Sequence, residues 1–350
     1  MTAPPAGQAA APQADDGGER RPGASLQSVT TRLVEIESVP VLLATIALVV
    51  VIGILHPVYF HWSQLKDVLQ QSVYVGILAM GMAFLLSMRE LDLSVGSIFG
   101  LALISSALLM SHGMNPWIAA LIGVGLGGAM GLINAILVQV IAIPAIVATL
   151  ATLSMYRGLA LALANGQQVT NLPISNSFFT KLGGNTAGLP TSVWILIALA
   201  LILTGVLRFT PFGYRVRSIG SNPEAATFSG ISIPRVRVQA LVLMGLLAGL
   251  AGMLGLAFFE SGDPNIGTGF ELQAIAAAVI GGTSLRGGSA TVIGAVFGAI
   301  LLSAVNAGLP FLNVPQNWSA FTTGAVILGA VSLDSLVRRR RRGHSSGLAL

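Results

Sequence analysis

The 350-residue chain contains no cysteine, so disulfides and thiolate metal sites are excluded, while the redox compartment stays open. Charge is almost as scarce: 9% of residues are charged, against about 25% in soluble domains. Hydrophobic residues make up 54%, and the mean hydropathy is +0.82. The chain therefore reads as an integral membrane protein. Its net charge of +5 and pI near 10.2 do not point to nucleic acid, because the basic residues flank apolar runs instead of forming a stripe interleaved with aromatics. No G-x-x-x-x-G-K-[ST] run occurs, so the chain itself should not bind ATP. His56, His61, His112 and His344 are scattered without metal-ligand spacing. No nucleophile–base constellation stands out, so no enzymatic role and no cofactor are expected for this chain.

What is present is a series of apolar runs. A span needs roughly 20 apolar residues. Ten segments are predicted, at 40–60, 72–88, 93–111, 117–138, 142–164, 191–208, 237–259, 270–283, 288–309 and 318–336, giving an all-α polytopic fold. The eighth is short and is followed by Gly281, Gly282, Gly287 and Gly288, so it is expected to be broken or re-entrant. Residues 1–38 read as a disordered cytoplasmic tail, 39–337 as the membrane domain with a cytoplasmic loop at 209–236, and 338–350 as a basic tail. The first apolar run starts too far from the N-terminus for a cleavable signal peptide. With the N-terminus inside, fifteen Lys and Arg residues fall on the inner side, only Lys66 and Lys181 fall outside, and Arg157 falls within a span. This asymmetry favours an inner-membrane protein with both termini cytoplasmic. The Arg338–Arg342 run reads as a stop-transfer anchor.

Glycines recur every four residues at Gly123, Gly127 and Gly131, at Gly245 and Gly249, and at Gly294 and Gly298. Such spacing lets helix backbones approach closely in lipid. The outer loop at 165–190 is polar and could cap a path, dock a binding protein, or simply connect two spans.

Three stretches carry chemistry. The loop Arg208 to Arg237 holds Asn222-Pro223-Glu224-Ala225-Ala226 and, after a short spacer, Gly230. Asn222 is an expected N-cap, Pro223 suits the first turn, Glu224 favours the helix dipole, and Gly230 should end the helix. The second stretch, Met88 to Ser97, sits at the expected inner surface and contains Asp92, Ser94 and Gly96. Charge at a span's centre is costly, so this cluster must lie at the mouth or face protein; Asp92 reads as capping the third helix, as part of a cytoplasmic gate, or as both. The third is the fifth segment, in which Tyr156 and Arg157 either border a path near its outer end or Arg157 snorkels to the interface. Candidate pathway residues are Asn134, Tyr156, Arg157, Phe258 and Asn306.

The Asn222 to Gly230 stretch resembles the E-A-A-x-x-x-G coupling segment of permeases in ATP-driven importers. Together with Asp92-Leu93-Ser94-Val95-Gly96-Ser97 and the run Ala274 to Gly288, it makes residues 40–336 resemble the permease subunit of a bacterial ATP-binding-cassette sugar importer of the ribose/xylose/rhamnose type. That resemblance implies a second permease chain, partner ATPase subunits that bind ATP and Mg, and an extracytoplasmic sugar-binding protein that carries most of the selectivity. Two departures are visible. Relatives commonly have Gly-Gly-Ile where Arg89-Glu90-Leu91 stands, and Pro-Phe-Ile where Pro144-Ala145-Ile146 stands. Competing readings are a permease for branched-chain amino acids or nucleosides, a membrane scaffold without transport, and an ion-coupled transporter. The last would place carboxylates near the bilayer midplane, whereas here the acids lie at segment ends.

Overall fold

The computed structural model describes residues 39–326, together with 328, 329 and 332. The predicted tail 1–38 and the Arg338–Arg342 anchor lie outside the described residues. In chain order the helices are α1 (Val39–Leu55), α2 (Trp62–Ser87), α3 (Val95–Ser111), α4 (Pro116–Gln139), α5 (Ala145–Leu163), α6 (Ser177–Leu182), α7 (Thr191–Phe209), α8 (Pro211–Ser221), α9 (Pro223–Phe228), α10 (Ile233–Phe259), α11 (Phe270–Ile280) and α12 (Val292–Gly308). A two-residue antiparallel pairing joins Asn185–Thr186 to Leu189–Pro190. Residues 319–326 are also helical.

Six of these are long and apolar enough to cross a membrane: α2, α4, α5, α7, α10, and α12 with its extension to Leu312. Helices α1, α3 and α11 are apolar but shorter. The chain is thus an all-α, multi-pass membrane protein. The first predicted segment is cut short, because α1 ends at Leu55 and Pro57 opens a 3-10 turn to Phe60. The second was placed ten residues too late. Helix α2 begins at Trp62, and its first turns carry Gln64, Lys66, Asp67, Gln70 and Gln71, which read as a polar loop. From Val73 to Ser87 α2 is buried on every side, as expected of a helix that is hydrophobic all round.

Two glycine seams set the packing. A Cβ at Gly127 would collide with the Gly245 carbonyl oxygen, and one at Gly131 with that of Leu241. Backbone therefore lies against backbone along α4 and α10. A second seam joins α12 to α11: Gly294 rests on the Gly281 carbonyl and Gly298 on that of Ala277. The spacing visible in the sequence is thus used for close approach, where dispersion contacts hold helices together without help from water.

Helix α11 has only 11 residues, so the eighth segment is short, as predicted. The chain before it is not helical. Gly262 lies beside Ala107, Ile266 beside Gly100, and Gly267 against Gly96. This segment is a succession of turns, with Ile266 N donating to Asp263 O and Thr268 N to Asn265 O, each at 3.2 Å, and it follows α3 from Ala107 to Gly96. It anchors at its start through a pair of backbone hydrogen bonds between Val169 and Gly262, each 2.8 Å. The 165–190 loop is not wholly polar connection. Its α6 buries Phe178 and Phe179, and Trp117 Nε1 donates to Ser177 Oγ at 2.9 Å.

Candidate functional site

The 209–236 loop folds into two helices. Thr210 Oγ1 accepts from the Gly213 amide at 3.2 Å and starts α8. Asn222 adopts an extended conformation (φ −153°, ψ 103°), and its Oδ1 accepts from the Ala225 amide at 3.1 Å, starting α9. Pro223 fills the first position, where no amide donor is needed, and Glu224 sits in the positive first turn. Gly230 has φ +78°, and the amides of Gly230 and Ile231 bond back to the carbonyls of Thr227 and Ala226 at 2.9 and 3.0 Å. The local geometry predicted for Asn222, Pro223, Glu224 and Gly230 is therefore present. Ala226 faces inward and is 4% exposed, Ala225 faces a groove of about 580 Å³ shared with Tyr214, Arg217 and Gly288, and Phe228 at the helix end is 91% exposed.

The seat beneath these helices was not legible from the sequence. Gly220 packs directly on the Ser87 carbonyl, leaving no space for a Cβ. Arg89, itself at φ +64°, donates from Nε to Gly220 O at 2.9 Å and from Nη2 to Ser221 O at 3.2 Å. The Gly288 amide donates to Ser87 O at 2.9 Å. Glu90 forms an ion pair with Arg237 at the start of α10. Burial pushes the Glu90 carboxyl above the ordinary carboxylate range, and the neighbouring Arg237 charge opposes that shift. The signal of Arg89 and Glu90 was charge directly after a long apolar run.

Asp92 does not lie at a surface. It is 0% exposed, and Oδ1 accepts from the Ser94 amide at 2.8 Å and from Ser94 Oγ at 2.6 Å. Asn134 Nδ2 donates to Asp92 Oδ2 at 3.3 Å and to Ser94 Oγ at 2.8 Å. Tyr156 donates to the Met130 carbonyl at 3.2 Å and reaches Asn134 Oδ1 at 3.4 Å. The start of α3 is thus tied to α4 and α5 by a closed set of hydrogen bonds, which a buried carboxylate requires. An acid at a segment end in sequence has become an interior group in the fold, because the turn before α3 folds inward.

Arg157 does not snorkel. Its Nη1 donates to Pro264 O at 2.7 Å and Ile266 O at 3.1 Å, and Nη2 to Gly96 O at 3.3 Å. It satisfies carbonyls that the unwound segment before α11 would otherwise leave bare. Glu271 and Asp263 supply negative charge near the guanidinium. Gly96 has no room for a side chain, because Gly267 O and Glu271 Oε2 occupy that space. Of the five candidate pathway residues, Asn134 and Tyr156 belong to the buried network and Arg157 to this clamp. Phe258 and Asn306 instead line one cavity of about 770 Å³, at the end of the fold opposite α8 and α9.

The family model described as the permease component of branched-chain amino acid transport systems matches residues 64–331. The ribose import permease protein of Escherichia coli strain K12 is 34% identical over 296 residues, covering 84% of this chain and 92% of its own length. That of Bacillus subtilis strain 168 is 36% identical over 287 residues, covering 82% and 89%. The L-arabinose ABC transporter permease protein of Azospirillum brasilense is 34% identical over 304 residues, covering 86% and 87%. With the match running through the α2 to α12 core described above, the chain belongs to this family of transport-system permease components.

Proposed function

We propose that this chain is the membrane-spanning permease of an ATP-binding-cassette importer that carries a monosaccharide across the inner membrane. Partner ATPase subunits bind ATP and Mg and dock on α8 and α9, with Glu224 and the residues from Asn222 to Gly230 forming the coupling element. A second permease chain completes the path, and an extracytoplasmic sugar-binding protein delivers the solute. The chain itself holds no cofactor. The Arg-rich end carrying α8 and α9 is cytoplasmic, as are both termini. The shorter helices α1, α3 and α11 and the segment around 319–326 complete about ten membrane segments. Asp92, Ser94 and Gly96 fix the start of α3 beside the cytoplasmic gate.

The observation that carries this reading is the capped α9 helix, held on a seat built from α2, α10 and the turn before α12. Neither lipid contact nor simple connection requires such a seat. Helix α2 runs from this seat to the cavity at the other end, about 39 Å at the helical rise. Movement of α8 and α9 by the ATPases would tilt α2 as a rigid body and change access at both ends. Sugar is the favoured solute because the similar permeases are named for ribose and arabinose. The second reading, a branched-chain amino acid, follows from the description of the family. Liposomes containing this chain, its ATPase and its binding protein would decide. ATP-dependent uptake of D-ribose or L-arabinose, insensitive to a protonophore, is the expected result. Uptake of leucine alone would transfer the reading to amino acids, and protonophore-sensitive uptake without ATP would remove the importer reading altogether.

A further inference from the structure

We infer that the cavity of about 770 Å³ opposite the coupling helices is a binding subsite for a polyhydroxylated solute, so that the permease itself contributes to selectivity. This inference rests on the sugar-importer reading and deepens it. The volume lies within the range of about 300–1,000 Å³ typical of small-molecule sites. The walls come from the first turns of α2, the end of α10, the start of α11 and the end of α12. They combine Asp67, Gln71, Gln273 and Asn306 with the rings of Tyr74 and Phe259.

The chemistry of these groups selects the ligand. A sugar hydroxyl both donates and accepts. A glutamine amide offers both functions, and a carboxylate accepts through two oxygens. The C–H face of a sugar ring packs on an aromatic face, and Tyr74 and Phe259 are adjacent, with ring centroids 5.6 Å apart. Gln70 is already committed: it donates to the Tyr74 hydroxyl and accepts from Ser192 Oγ at 2.6 Å. That leaves the Tyr74 proton free to donate into the cavity. Among the described residues, the side chains of Asp67, Gln71 and Gln273 have no hydrogen-bond partner, although they share one concave site. Among the described residues no Lys or Arg lines it, so an amino acid's carboxylate would lack a counter-charge from them. An acyl chain would leave the amides and the carboxylate unpaired. The run of polar residues in early α2, which hid the start of that helix in the sequence, is the polar wall of this site.

The test uses the reconstituted importer with D-ribose, L-arabinose, D-xylose and leucine as probes. Variants are Gln273→Ala, Asp67→Asn and the cavity-filling Ala307→Phe, each compared at equal co-purification with the ATPase. Loss of one neutral hydrogen bond should slow uptake of the transported pentose about 3- to 10-fold in Gln273→Ala, and loss of a charged acceptor about tenfold or more in Asp67→Asn. Ala307→Phe should reduce it further. Saturation-transfer NMR on the parental complex without binding protein needs no variant and should show transfer to pentose ring protons. Pentose uptake by the parent with unchanged rates in the assembled variants would overturn the inference alone, as would absence of saturation transfer from all three pentoses. A parent that imports leucine but no pentose would overturn the importer reading and this inference with it.

Discussion

Replacement of Gly230 separates backbone geometry from bulk. The residue has φ +78°, and no atom lies within 4 Å of the position a Cβ would take. Any effect of a side chain there comes from the left-handed conformation and not from a collision. That conformation costs a non-glycine residue about 1–2 kcal/mol, least for asparagine, and more for a β-branched residue. If α9 keeps its C-terminal end only with residue 230 left-handed, such a cost lowers the population of the correctly ended helix about 5- to 30-fold. The expected order is therefore Gly, then Asn, then Ala, then Val. The assay is co-purification of the ATPase with the tagged permease, alongside pentose uptake in liposomes. Protein level in the membrane should not change, because the position lies in the α9–α10 connection and not in a span. Glu224→Ala, which removes the only charge on α9, should weaken co-purification while the Asn222 cap persists. Gly230→Val with parental ATPase retention and uptake would refute the coupling role. Gly230→Asn as damaging as Gly230→Val would refute the conformational reasoning, since the two differ chiefly in tolerance of positive φ.

Three further outcomes follow from the fold. Arg157→Ala should cost about 3 kcal/mol, because three carbonyls lose charged donors; thermal denaturation in detergent measures this, and stability equal to the parent would mean the clamp contributes nothing. On α4, Gly127→Val should lower the melting temperature and Gly125→Val should not, since the first meets the Gly245 carbonyl and the second open space; equal effects would contradict the backbone seam. Single cysteines at 217 and 181 should react oppositely with an impermeant thiol reagent in intact cells, with only Lys181→Cys labelled; labelling of Arg217→Cys alone would invert the proposed orientation.

Much of the capped α9 helix was legible because its geometry is local. Asn222, Pro223, Glu224 and Gly230 act on amides and carbonyls within a few residues of themselves, so cap, first turn and stop can be read from spacing. The glycine seams were legible as a tendency for the same reason, although which helix each glycine meets was not. The start of α2 was misread because its polar residues face a cavity instead of forming a loop, and hydropathy cannot distinguish the two. Asp92 was expected either at the mouth of the span or facing protein, and hydropathy alone cannot choose between the two. The turn before α3 carries it inward to Asn134, 42 residues away in sequence.

The sequence by itself determined that this is an all-α membrane protein, that its eighth apolar segment is too short for an ordinary span, and that a capped helix interrupts the loop after α7. Each of these depends on composition or on residues close together in the chain. Only the tertiary structure decided that Arg157 holds the unwound segment before α11, that Arg89 seats α8 while Glu90 pairs with Arg237 of α10, and that Asp67, Gln273 and Asn306 share one cavity. Those groups are brought together by close helix packing over long sequence separations. The partner of a buried charge or free amide is chosen by that packing, and no local pattern records it.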